Sequence, residues 1–253
     1  MNAKVEVIGE KLIALLSEKK IIARYELLHR VYQYVREANL NESESAELRK
    51  LLENDDIAVG IFFNILSGNP IFVNLPQLDS AMQVNNVMFH FVHTGNYGDP
   101  ELAKAFKQYQ DAEDEINELA SINLKYLLTN FMTNAGYVLV DDAFGKLTFN
   151  GPKDNKLEFR IFTSIEDVEI VDGMEGSVIL VPHAESPGPF LSFYHQKGVE
   201  VEMTETKVWV ANMEKATIDP FIGYPKDLAI YKQFNDPQLA MKVKTTWCRK
   251  EGT

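Results

Sequence analysis

The sequence predicts an α/β protein, with α+β as the variant: a helical N-terminal region followed by a small mixed sheet flanked by helices. Three observations carry this. Through the first part of the chain, apolar residues recur at threes and fours, the period of helices with one buried face. After Gly136 the pattern changes to short alternating or apolar runs separated by Gly, Asn, Asp and Pro, which is strand spacing. The chain has 253 residues, 45% hydrophobic and 25% charged, an ordinary globular composition with length for one large core or two modest ones.

The elements follow in order. GEKLIALLSEKK sets Leu12, Ile13, Leu15 and Leu16 on one broad helical face. RYELLHRVYQYVREANL repeats the pattern with Tyr25, Leu28, Val31, Tyr32 and Val35. Asn41 with Glu44 three residues on is a capping-box pattern that opens a third helix, SAELRKLLEN. DDIAVGIFFNILSG reads as a fourth, apolar nearly all round and ended by Gly68-Asn69-Pro70. Within 71–98, IFVNL reads as a short strand. SAMQVNNVMFHFVHTG reads as a helix, with an extended apolar segment as the alternative.

Asp99-Pro100-Glu101 is a helix start, with Asp99 as N-cap and Pro100 at the first helical position. The next 34 residues contain no breaker and form one long helix or two with a kink; their middle, DAEDEINE, is solvated, and Gly136 closes them. YVLVDDAFG, KLTFNG, KLEFRIFTS, VEIVDG and SVILVPHAE are strand-like. PFLSFYHQKG reads as a short helix ended by Gly198, and KVWVANM as the last strand of the core. IDPFIGYP then crosses to C-terminal helices in YPKDLAIYKQF and DPQLAMKVKTTW. The domain reading is therefore 1–98 helical, and 99–253 α/β with a long leading helix, a small sheet and C-terminal helices.

Charge and cysteine usage bound the function. The formal net charge of −12 repels phosphate backbones over most of the surface, which disfavours an open nucleic-acid groove. The one cysteine, Cys248, allows no internal disulfide, so a reducing, cytoplasmic setting is expected. The N-terminus interleaves Glu6, Glu10, Lys11 and Glu18 with its apolar residues, unlike a signal peptide. No apolar run approaches the roughly 20 residues of a membrane span, so no membrane partner is expected.

The phrases "NAGYVLVDD", "SVILVPHAE", "FYHQKGVEV" and "VWVAN" follow one another as long helix, meander, strand, helix, strand. Over roughly residues 119–215 this order resembles the restriction-endonuclease-like, or PD-(D/E)xK, core. The resemblance implies a catalytic set of two acids on neighbouring strands holding a divalent cation, with a Lys two residues beyond the second acid. The matching positions are Asp142, Glu158 and Arg160. Arg160 stands where Lys is expected, and no Pro precedes Asp142. A second alignment puts the motif strand at SVILVPHAE, where the acid-x-Lys is absent and the helix PFLSFYHQKG follows directly. The resemblance thus implies a fold more than an activity, and a divalent cation only on the nuclease reading.

Other residue constellations stand beside it. His90 and His93 are spaced to ligate a metal from one helical face, against packing at the edge of a core. His183 and Glu185 end a predicted strand in a proline-shaped turn, with His195 downstream, and form a candidate binding pair for a small molecule. Asp141 and Asp142 are adjacent, so on a strand at most one faces any site. Asp219, in the segment after KVWVANM, is a third binding candidate. Lys226, Lys232, Lys242, Lys244, Arg249 and Lys250 cluster near the C-terminus, a polarity suited to an acidic partner, a neighbouring subunit or nucleic acid. No G-x-S-x-G, phosphate loop or dinucleotide fingerprint occurs. The expectation is a non-catalytic protein with a degenerate nuclease-like core that binds a protein partner or self-associates. The alternatives are a metal-dependent nuclease and a small-molecule enzyme or binder at the His183–Glu185 loop.

Overall fold

A computed structural model describes residues 3–41, 43–44, 79–84, 87–93, 97–143, 145–151, 155–183, 188–213 and 216–221. The expected helices SAELRKLLEN and DDIAVGIFFNILSG, the strand IFVNL, the C-terminal helices and the basic C-terminal cluster lie outside these residues. The chain divides into two compact units, 1–123 and 124–253. Helices and sheets of both kinds make it an α/β or α+β protein. Among the described residues no helix is long and apolar enough to cross a membrane.

In the first unit, α1 (Ala3–Lys19) buries Ile8, Leu12 and Leu16, four residues apart on one face. Its end is left-handed at Lys20 (φ 62°), whose N–H reaches Leu16 O at 2.9 Å. The chain then enters β1 (Ile21–Ala23) and α2 (Arg24–Glu37). Ile8, Leu12, Leu16, Ile22, Leu27, Val31 and Val92 form one core. β1 escapes a periodicity search because three residues carry no period.

Residues 79–93 are a β-hairpin, β2 (Asp79–Val84) and β3 (Val87–His93), and not a helix. Val84 pairs with Val87, so two residues link the strands, and Phe89, Phe91 and His93 alternate with His90 and Val92. The sheet order is β1-β3-β2, all antiparallel. It adds strands to a region expected to be helical.

α3 (Asp99–Asp111) begins one residue earlier than expected. Gly98 is its N-cap, and Glu101 Oε2 accepts from Gly98 N–H at 3.1 Å. Of the two readings of the long helical run, the interrupted one holds. The break is Ala112 (φ −105°, ψ 6°), and α4 (Glu113–Asn134) resumes at once. Ile116, Leu119, Ala120, Asn123, Leu124, Leu127, Leu128 and Met132 line its buried stripe. Gly136 (φ 82°) ends it, with Tyr137 N–H bonded to Met132 O at 2.9 Å.

The second unit holds a six-stranded mixed sheet in chain order: β4 (Val138–Ala143), β5 (Lys146–Asn150), β6 (Lys156–Ile161), β7 (Val178–Pro182), β8 (Lys207–Asn212) and β9 (Thr217–Phe221). β4–β6 are an antiparallel meander, β6–β7 and β7–β8 pair in parallel, and β8–β9 are antiparallel. A 3-10 turn (Ile165–Asp167) lies on the first crossover and α5 (Gly188–Met203) makes the second. Val178-Ile179-Leu180-Val181 are fully buried, as expected of a parallel strand covered on both faces.

Three expectations are corrected here. VEIVDG forms no strand; Val168 is used as a core anchor beside Ile165 and Met174. α5 does not stop at Gly198 but continues to Met203, because Val201 packs into the core, outweighing the cost of about 1 kcal/mol for a mid-helix glycine. VWVAN is not the last strand, since β9 adds to it, with Pro220 opposite Trp209. A proline is tolerated there because β9 is an edge among the described strands.

The pleat sorts the sheet into two faces. Leu147, Phe149, Phe159 and Trp209 share one, and their rings meet edge to face: Phe149–Phe159 at 5.6 Å and Phe159–Trp209 at 5.0 Å. Phe131 of α4 meets Trp209 at 6.0 Å on that side. Ile179, Val181, Val208 and Val210 occupy the other, under Phe190, Phe193, Tyr194 and Val201 of α5.

Candidate functional site

Cross-strand register decides which side chains of the meander can act together. Residues directly opposite share a face. Asp142 lies opposite Leu147, which lies opposite Phe159. Asp142 therefore belongs to the aromatic, α4-covered side, where Lys125 of α4 pairs with its Oδ2. Glu158 alternates with Phe159 and belongs to the other face. There it lies opposite Thr148, which lies opposite Asp141. Arg160 shares the Glu158 face, opposite Lys146.

The structure thus does not bring Asp142, Glu158 and Arg160 together. The acid that shares a face with Glu158 is Asp141, two strand spacings or about 10 Å away. Glu158 is already occupied, with Oε1 2.7 Å from Lys156 Nζ and Oε2 3.3 Å from Lys146 Nζ. The Lys156 hydrogen bond holds its carboxyl below the usual range against the opposing effect of burial, and Lys146 adds to it. The half-buried Arg160 has its Nε without a hydrogen-bond partner among the described residues.

The remaining candidates are placed as follows. His183 is half-buried just beyond β7, its N–H bonded to Ala211 O at 2.7 Å. Glu185 lies outside the described residues. Asp219 is in β9, opposite Val210. His195 is exposed on α5. His90 and His93, three apart on a strand rather than a helix, point to opposite faces. His93 is buried, with its ring edge-on to Tyr97 at 5.8 Å. Among the described residues, no three His, Cys, Asp or Glu side chains group as a metal set.

Sequence reasoning passed over the lysines that hold these acids. Lys156-x-Glu158 has the same-face spacing of a strand and was legible as a pair; Lys125 and Lys146 needed the fold. It also passed over a buried polar cluster in the first unit. His29, fully buried, and Asn123 are packed together, with Asn123 Nδ2 donating to the His29 carbonyl at 2.8 Å. His29 Nε2 and Asn123 Oδ1 have no hydrogen-bond partner among the described residues. Burial pulls the His29 pKa down from 6.5 to about 4, so the imidazole is neutral at pH 7. Beside it, the buried Glu26 meets Lys19 at 2.5 Å and Arg30 Nε at 3.7 Å, and Arg30 reaches Glu115 at 2.6 Å. Nothing in an amphipathic helix pattern announces that His29 rather than Leu28 faces inward most completely.

A family model described as the C-terminal domain of a domain of unknown function, DUF6834, matches residues 103–236, from α3 through the whole six-stranded sheet. No curated protein matches the chain.

Proposed function

We propose, for a chain that belongs to the DUF6834 family through its C-terminal domain, a non-catalytic role: a degenerate nuclease-like core that works by binding a protein partner in the cytoplasm. The observation that carries this reading is the split of the two acids. Asp142 and Glu158 lie on opposite faces of the meander, each neutralised by lysine. A two-acid cation site requires both carboxylates on one side with free oxygens. The order helix, meander, strand, helix, strand supports the nuclease-like part, and the single cysteine supports the compartment.

The test is a cleavage assay on single- and double-stranded DNA and RNA with magnesium or manganese, run beside Glu158→Ala. The expected result is no cleavage by either protein. Metal-dependent cleavage lost in Glu158→Ala overturns the reading in favour of a nuclease.

A further inference from the structure

We infer that the exposed face at the end of α5, around Val199 and Met203, is the seat of this chain's own basic C-terminal stretch, residues 237–250. The inference goes beyond the partner-binding reading and does not depend on it.

Val199 and Met203 are 72% and 79% exposed, the most exposed large apolar side chains among the described residues. Four residues apart on a helix, they share one face. Acids surround them. Glu200, Glu202 and Glu205 are exposed in and just after the last turn of α5. The exposed Glu175 is brought to the same end, because Gly176 N–H bonds to Thr204 O at 2.8 Å. Against these stand Lys197, which pairs with Glu200 at 3.4 Å, and the half-buried Lys207. The last turn of α5 holds no basic residue. A helix C-terminus carries partial negative charge and is stabilised by cations, so these acids oppose the dipole until positive charge reaches them from elsewhere.

The occupant is identified by charge and by where the described chain ends. Residues 237–250, PQLAMKVKTTWCRK, lie outside the described residues. They combine Leu239, Met241, Val243 and Trp247 with Lys242, Lys244, Arg249 and Lys250, and contain no Asp or Glu. Phe221, the last described residue, pairs with Val208, next to the start of β8 at Lys207. α5 ends at Met203, and Thr206 N–H bonds to Val201 O at 3.2 Å across the turn into β8. The chain therefore leaves the sheet at the end where α5 stops. From Phe221 to Pro237 a fully extended chain spans about 50 Å, so the tether permits the contact. A tethered segment acts at a local concentration on the order of millimolar, so a weak contact is enough to seat it. The other exposed apolar pair of this unit, Val138 and Val140, is on β4, at the far edge of the sheet from Phe221. There a bulge and the carboxylates of Asp141 and Asp142 already guard the strand.

The experiment uses the full chain with a nitroxide on Cys248, its one cysteine. Amide NMR signals are compared before and after the nitroxide is reduced, at low and high salt. The amides of residues 199–203 are expected to lose at least half their intensity at low salt and less at high salt, while those of β4 keep theirs. Val199→Lys/Met203→Lys, at two exposed positions where lysine suits the helix end, should abolish the loss, and Val140→Lys should retain it. Lys242→Glu/Lys244→Glu should weaken it. No loss at α5, loss spread evenly over the described residues, or retention in the Val199→Lys/Met203→Lys protein overturns the inference. Loss at α5 of isotope-enriched unlabelled protein mixed with spin-labelled protein overturns it in favour of a second copy as the occupant.

Discussion

His29 makes the stability of the first unit pH-dependent by a calculable amount. The folded protein holds the imidazole neutral, with its pKa pulled down from 6.5 to about 4 by burial. The unfolded chain binds its proton at 6.5. Between these values the unfolded state carries more protons, so stability is complete above pH 6.5 and falls as pH drops toward 4. The full difference, about 2.5 units, corresponds to about 3 kcal/mol. At pH 5, where the unfolded imidazole is charged and the folded one is not, about 2 kcal/mol has been lost. The paired carboxylates Glu37, Glu115 and Glu158, held below their ordinary 4.5, contribute at lower pH than this. The window from pH 6.5 to 5 therefore isolates histidine titration.

The control is His29→Phe. It keeps a ring edge-on to Tyr25, now 4.5 Å from His29, and leaves the Asn123 Nδ2 bond to the His29 backbone carbonyl, while removing the longer 3.4 Å contact of that amide with His29 Nδ1. It also removes the orphaned Nε2. Urea denaturation followed by circular dichroism should show wild-type stability falling by about 2 kcal/mol from pH 8 to pH 5. The variant should fall by clearly less, with a stability at pH 8 within about 1 kcal/mol of wild type. An equal fall in both proteins would refute the assignment of the pH dependence to this residue.

Two further substitutions test the second unit. Phe159→Ala removes a fully buried ring that touches Phe149 and Trp209 and should cost about 3–5 kcal/mol by denaturant titration; a loss below about 1 kcal/mol would mean the aromatic layer is not the core. Gly151→Ala places a Cβ inside the Tyr137 ring, whose hydroxyl accepts from Asn155 at 2.7 Å, and should cost about 1–3 kcal/mol. In a Tyr137→Ala background the same change should cost far less, and equal costs in the two backgrounds would rule out the clash.

The parts legible in the sequence were those where one physical pattern runs long enough to be read. α1, α2 and the α3–α4 run declare themselves by a repeated apolar face, and Val178–Val181 by an unbroken buried run. The misses are places where tertiary contacts overrule a local pattern. Gly198 reads as a stop until Val201 is seen to need a seat in the core. Pro220 argues against a strand until β9 is seen to be an edge. The hairpin at 79–93 was masked because its apolar residues satisfy both helical and alternating templates over so short a span. The candidate site failed for a related reason. Spacing put Asp142 and Glu158 on neighbouring elements but not on a side of the sheet. Two hairpin connections determine that side, and one residue more or less in either would invert it.

The contrast between the two edges of the large sheet has a consequence for assembly. If the outer rim of one molecule's β4 joined the outer rim of another's β9, the contact would be head to tail and would repeat without closing, producing a filament. Pro220 withholds a donor from that seam, so the rung it would need is missing. The outer flank of β9 is therefore ill suited to chaining one sheet to the next. A single imino acid thereby weighs against polymerisation through that edge.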